Sequence, residues 1–211
     1  MRRRPPLDLY LITDRQLVGA HGIEAVVAAA VRGGVTLVQL RDDQTPADEL
    51  VPLARRLKQL LAPGRVPLIV NNHLDVALAA GADGVHVGQS DTPVAEARSR
   101  LGPEAILGLS ITDPAQFAYV DPADVDYLGV GPVHATGTKP DAAPPMGLDG
   151  LRTCRAATSL PIVAIGGIDV ASTAAIIEAG ADGIAVVSAI CAAPDPERAA
   201  RELARAVRAA R

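Results

Sequence analysis

The chain has 211 residues, 49% of them hydrophobic and 21% charged, and carries a net charge of -4. That is enough apolar material for one sizeable core, so a disordered chain is excluded, and without a basic excess nucleic acid is not the expected partner. One Phe, three Tyr and no Trp leave the apolar mass to Ala, Val, Leu and Ile, a composition suited to strands buried on both faces beneath Ala-rich helices.

Met1 to Pro6 reads as a loose arm. The stretch MRRRPPLDLYLITD begins with positive charge but has no apolar h-region and no small-residue cleavage site, so it is not read as a signal peptide. From residue 7 onward, short apolar runs alternate with longer helical ones. Strand candidates are LDLYLITD (7–14), TLVQLR (36–41), PLIVNN (67–72), GVHVG (84–88), ILGLSI (106–111), YLGVGPV (127–133), PIVAIGG (161–167) and GIAVVSAI (183–190). Helices are expected near 21–32, 47–62, 74–80, 93–101, 113–119, 148–158, 171–179 and 195–210. Thr45-Pro46, Thr92-Pro93 and Asp113-Pro114 read as helix starts, and Gly33, Gly81 and Gly180 as helix C-termini. ALAAGADGVHVG (77–88) echoes IIEAGADGIAVV (176–187), with Gly for positive φ and Asp for a turn hydrogen bond. No run of 18 apolar residues exists, so no membrane span is expected. Cys154 and Cys191 lie far apart, which fits a reducing, cytoplasmic compartment.

Strand and helix alternating through one chain of this length imply a single-domain (β/α)₈ TIM barrel over residues 7–211, in which chemistry belongs at the C-terminal ends of the strands. Neither G-x-G-x-x-G after a first strand nor G-x-x-x-x-G-K-[ST] occurs, so dinucleotide and P-loop readings lose their main support.

The strand ends deliver polar groups in turn. They are Thr13, Asp14 and Arg15; Gln39, Arg41, Asp42 and Asp43; Asn71, Asn72 and His73; Gln89, Ser90 and Asp91; Ser110; Thr136, Thr138 and Lys139; Gly166 and Gly167; and Ser188. Their chemistry converges on anions. Arg41 can grip a phosphate bidentately, Lys139 acts as a point charge, the hydroxyls donate, and the paired glycines let backbone N–H groups approach closely. Asp91 with Asn72 offers oxygen ligands for a hard cation of the Mg²⁺ type, whose other positions waters and substrate phosphates fill. Simpler readings stand beside these. Asp91-Thr92-Pro93 also fits a plain helix cap, Asn71 could satisfy backbone groups in the barrel mouth, Asp14 and Arg15 could pair with each other, and His86 and His134 read as structural.

LYLITDR, VQLR, DVALAAGADGVHVGQSD, ILGLSI, DYLGVGPV with T-x-T-K, PIVAIGGI and GADGIAVVSAI together resemble the thiamine-phosphate synthase family, in order from about residue 9 to 191. The resemblance implies an Mg²⁺-dependent transferase that joins hydroxymethylpyrimidine diphosphate to thiazole phosphate and releases pyrophosphate. Carried over by position, Gln39, Arg41, Asn71, Ser110 and Lys139 would hold the pyrimidine diphosphate. Thr136, Thr138, Gly167, Val187 and Ser188 would hold the thiazole phosphate, and Asp91 and Asn72 the metal. Arg41, Lys139 and Ser110 would be catalytic, with the pyrimidine leaving as a carbocation. The Gly/Pro-rich segment 134–147 would close over both substrates as a flap. Two positions depart from the family's pattern: Asp43 stands where a Lys is usual, and Asn72 where an Asp is usual. A sister group of thiazole tautomerases and a non-catalytic phosphate-binding barrel are the competing readings.

Overall fold

Closed parallel pairing joins β1 (Leu9–Ile12), β2 (Leu37–Leu40), β3 (Leu68–Asn71), β4 (Gly84–Val87), β5 (Ile106–Ile111), β6 (Tyr127–Val130), β7 (Ile162–Ile165) and β8 (Gly183–Val186) in chain order, with β8 returning to β1. The coordinates are a computed structural model describing residues 4–42, 44–138 and 142–211. The helices between and after the strands are α1 (Ile23–Gly33), α2 (Ala47–Leu61), α3 (Leu74–Ala80), α4 (Val94–Leu101), α5 (Gly147–Ala157), α6 (Val170–Glu178), α7 (Ser188–Cys191) and α8 (Pro196–Ala209). Almost every strand residue is buried, because one face fills the barrel and the other meets the helices.

Three details differ from the sequence reading. Residues 114–119 form a 3-10 stretch and not an α-helix; the Asp113 carboxylate accepts the Ala115 N–H at its start. The last strand stops at Val186, and Ser188 opens α7 instead of extending the strand. Gly33 lies inside α1, and Gly34 takes the left-handed turn at φ 112°. Gly33 serves close packing, since a Cβ there would lie 2.6 Å from the Ala200 Cβ of α8.

The AGADG echo also has a different basis. Asp83 and Asp182 do not close local turns. Each accepts the first N–H of the strand before its own, Leu68 at 2.8 Å and Ile162 at 2.8 Å. Asp126 accepts from Leu107, the second residue of β5, and the Thr36 hydroxyl from Leu9, the first of β1. Their own N–H groups donate back to the carbonyls of those four partners. A reciprocal clamp therefore ties each odd strand to the next even strand at the N-terminal rim. In three of the clamps a helix cation joins: Lys58 on Asp83, Arg98 on Asp126 and Arg155 on Asp182. At the first strand, Pro5 is buried and the Pro6 carbonyl accepts from Thr36. Met1 to Arg3 lie outside the described residues.

Candidate active site

The loops at the opposite, C-terminal rim enclose a cavity of about 720 Å³. Gln39 and Asn71 reach it from the last turns of β2 and β3, and Ser110 from β5. Arg41, Asn72 and Asp91 line it from the loops after β2, β3 and β4. Across the mouth lie Thr136 and Thr138 after β6, Gly167 after β7, and Val187 and Ser188 after β8. The structure thus brings together every expected site residue except Lys139, which with Asp43 lies outside the described residues.

Charge pairing at β1 and β2 crosses between the strands. Asp14 does not pair with Arg15. It accepts from Arg41 Nη2 at 2.9 Å, while Arg15 Nε binds Asp42 at 2.5 Å. Asp14 is itself held by the backbone N–H groups of Gln16 and Leu17, so it is a fixed anchor that aims the guanidinium while leaving other donors for a ligand. Burial alone would raise the pKa of Asp42, but hydrogen bonds from Arg15, Thr45 and Gln44 outweigh it and hold the carboxyl below its usual value.

Asp91 is not a helix cap. α4 begins after Pro93 with no side-chain cap, and Asp91 Oδ2 accepts the Gly88 N–H at 2.7 Å. Gly88 makes room for this, because a Cβ there would stand 2.8 Å from the same oxygen. The other carboxylate oxygen has no protein partner among the described residues. Asn72 adopts left-handed backbone at φ 58°, a conformation Asn tolerates better than most residues. No group of three or more His, Cys, Asp or Glu suited to a metal occurs among the described residues. One carboxylate and several amide side chains lining the same cavity instead fit a hard cation shared with phosphate oxygens.

Gly166 and Gly167 have positive φ values of 101° and 61°. A Cβ at Gly166 would come within 2.5 Å of Pro132, and one at Gly167 within 2.6 Å of the Ala135 carbonyl. The two glycines let the loop after β6 lie against the end of β7, where Val133 and His134 N–H groups donate to Ile165 and Gly166. The N–H groups of Gly167 and Ser188 have no protein acceptor among the described residues. Thr138 N–H donates to Thr136 Oγ1 at 3.3 Å, which curls this part of the loop onto itself.

Beneath the cavity runs a buried polar chain that the sequence reading passed over. Gln39, Tyr10, Tyr127, His86 and Ser110 are linked by successive contacts of 2.6 to 2.9 Å. Burial raises both phenols and lowers the His86 imidazole to about 4, so the ring is neutral at physiological pH. A signal was available. Two of the chain's three Tyr and one of its four His sit inside otherwise aliphatic strands. Gly108 and Gly129 are the matching small residues: a Cβ at Gly108 would strike Tyr127 and His86, and one at Gly129 would lie 3.0 Å from His86.

A closed barrel that spends its C-terminal rim on a fixed arginine, open amides and a lone carboxylate falls in the class of enzymes that handle phosphorylated small molecules. The family model for thiamine monophosphate synthase matches residues 9–190. A thiamine-phosphate synthase of Xanthobacter autotrophicus is 58% identical over 205 residues, covering 97% of each chain. One from Moorella thermoacetica is 49% identical over 98% of this chain and 99% of its own. The solved thiamine phosphate pyrophosphorylase from Pyrococcus furiosus superposes with a TM-score of 0.89 at 36% identity, covering 98% of both chains. The chain belongs to the thiamine monophosphate synthase family.

Proposed function

We propose that the protein joins 4-amino-2-methyl-5-(diphosphooxymethyl)pyrimidine to 4-methyl-5-(2-phosphooxyethyl)thiazole, or its carboxylate, as a thiamine-phosphate synthase. The observation that carries the reading is how the site residues divide around one cavity. Those from β2 to β5 sit on one side of the mouth and those from β6 to β8 on the other. That is room for two phosphorylated partners facing each other, one per half.

On the first side, Gln39, Arg41, Asn71 and Ser110 hold the pyrimidine diphosphate, with Lys139 joining from the loop after β6. On the second, Thr136, Thr138, Gly167, Val187 and Ser188 hold the thiazole phosphate. The bond between the pyrimidine methylene carbon and the diphosphate oxygen breaks, and its electron pair leaves with pyrophosphate. The thiazole nitrogen then donates its lone pair to that carbon, closing the carbon–nitrogen bond of thiamine phosphate. With the carboxylate as substrate, the bond to the carboxyl carbon also breaks, CO₂ leaves, and the ring carbon takes up a proton. Arg41, aimed by Asp14, meets charge that grows on the leaving oxygen, an interaction stronger in the transition state than in the ground state. Asp91 and Asn72 would hold Mg²⁺, which when bound would neutralise diphosphate charge. Closure of the segment 134–147, of which 139–141 lie outside the described residues, would exclude water from the carbocation.

No described helix is long and apolar enough to cross a membrane, and both cysteines are free and buried, which supports a cytoplasmic setting. The test is direct. Purified protein with both substrates and Mg²⁺ is expected to release thiamine phosphate and pyrophosphate in equal amounts. Isomerisation of the thiazole carboxylate phosphate without pyrophosphate would indicate a tautomerase, and tight binding without turnover a phosphate-binding barrel. Either result rejects the proposal.

A further inference from the structure

The chain beneath the cavity has a direction. Gln39 Nε2 donates to the Tyr10 hydroxyl at 2.6 Å. An amide nitrogen only donates. Either hydroxyl can donate between Tyr10 and Tyr127, 2.9 Å apart, but Tyr127 is the only acceptor in reach for the buried Tyr10 proton among the described residues. Tyr127 has then accepted, and its own proton goes to His86 Nδ1 at 2.9 Å. A neutral imidazole that accepts at Nδ1 carries its proton on Nε2, and His86 Nε2 stands 2.9 Å from Ser110 Oγ. Ser110 accepts from the ring, and its own proton is left over for the cavity.

Gln39, Tyr10, His86 and Ser110 all border the cavity, and Tyr127 alone is shut away from it. Tyr10 and Tyr127 are buried, and Tyr127 stands edge-on to Tyr10. The space is built for it, since side chains at Gly108 or Gly129 would displace the His86 ring.

We propose that Tyr10, Tyr127 and His86 are positioning residues: a one-way hydrogen-bond relay that fixes His86 in its Nε2–H form and so turns the Ser110 hydroxyl proton toward the substrate. The same order leaves Gln39 Oε1 as an acceptor at the other end. The site then presents one acceptor and one donor, matching a ligand with an amino group near Gln39 and an anionic oxygen near Ser110. This rests on the aminopyrimidine diphosphate reading above. Reversing the order would put the Gln39 amide nitrogen toward the cavity and lock the Ser110 proton onto the ring.

The test combines a ring measurement that needs no substrate with kinetics. In ¹⁵N-histidine-labelled protein, the His86 resonances are assigned by their loss in His86→Gln. The relay requires a bare Nδ1 and a protonated Nε2. Tyr127→Phe removes the donor to Nδ1, and the ring is expected to move its proton, wholly or in part, to Nδ1. In the same variant kcat falls about tenfold, the effect of misdirecting one hydrogen bond to a charged group, with KM for thiazole phosphate unchanged. Should Tyr127→Phe not fold, Tyr10→Phe interrupts the chain one link earlier and is expected to give the same changes at smaller size. A proton on Nδ1 in the wild type, protons on both nitrogens, or a folded Tyr127→Phe variant with unaltered ring signals and kcat would overturn the relay. A wild type that makes no thiamine phosphate would reject the function proposed above, and the ring measurement would still decide the relay.

Discussion

The two rims of the barrel differ in what they leave open. Both pair carboxylates with arginines, as Asp14 and Asp42 are paired at the C-terminal rim, but among the described residues only the C-terminal rim keeps a carboxylate oxygen and backbone amides uncommitted at its cavity. At the N-terminal rim, Asp83, Asp126 and Asp182 each hold a strand N–H and a helix cation, and Asp126 with Arg98 is buried. Arg98 there also donates to the carbonyls of Gly102, Ala105 and Asp124, so the cluster is self-sufficient. At the C-terminal rim, Asp91 accepts a single backbone N–H, and Gly167 and Ser188 keep unpaired amides among the described residues. A saturated rim holds the strands in register. An unsaturated rim keeps its hydrogen-bonding capacity for a ligand, a division general to this architecture.

Substitutions can break that contrast. The largest effect is expected at Asp91. Asp91→Ala should lower turnover about 10³-fold, since it removes the one carboxylate among the described residues that lines the proposed diphosphate site, while the urea midpoint stays level or rises. Asp126→Ala should do the reverse. It strands a buried guanidinium and should lower unfolding free energy by about 3–5 kcal/mol, with kcat kept at temperatures where the variant is folded. Loss of kcat in folded Asp126→Ala, or of stability in Asp91→Ala, would erase the distinction between rims. Asp182→Ala should destabilise less than Asp126→Ala, because the Asp182 carboxylate is partly exposed at 41%.

His86 sharpens the contrast through pH. Its folded value of about 4 lies below its ordinary 6.5, so between these values the unfolded chain binds a proton that the folded chain refuses. The stabilisation is present above 6.5 and is lost as pH falls toward 4, up to about 3 kcal/mol. Urea titrations of His86→Gln against wild type should therefore converge across that window. The smallest effect concerns the cysteines. Burial lifts Cys191 to about 11 and raises Cys154 as well, so neither should be alkylated at pH 8 until urea is added.

The barrel was legible in the sequence because each strand is a short aliphatic run ended by polar residues, and the closed sheet follows that order. The rim residues were legible for the same reason: a change from apolar to polar marks where a strand leaves the sheet. What could not be read was pairing at a distance. Asp14 and Arg15 are adjacent in sequence, yet parallel strands set Arg41 and Asp42 opposite them, and the charges exchange partners across β1 and β2. Asp83 and Asp182 looked like turn residues because their true acceptor role spans 15 and 20 residues. The buried chain escaped notice because Tyr10, His86 and Tyr127 come from three separate strands, and only closure of the barrel joins them.

The four clamps at the N-terminal rim divide the sheet into two-strand cassettes: β1 with β2, β3 with β4, β5 with β6, and β7 with β8. Between cassettes, among the described residues at this rim, the seams are held by backbone ladders and helix packing, with one side-chain bridge: Arg211 spans the Asp8 carboxylate and the Asp182 carbonyl across β8 and β1. A version with its ends fused and its chain reopened ahead of β3, β5 or β7 leaves every latched pair on one continuous segment. Reopening ahead of an even-numbered strand severs the connection that each latch braces, so tolerance of new termini should alternate around the ring.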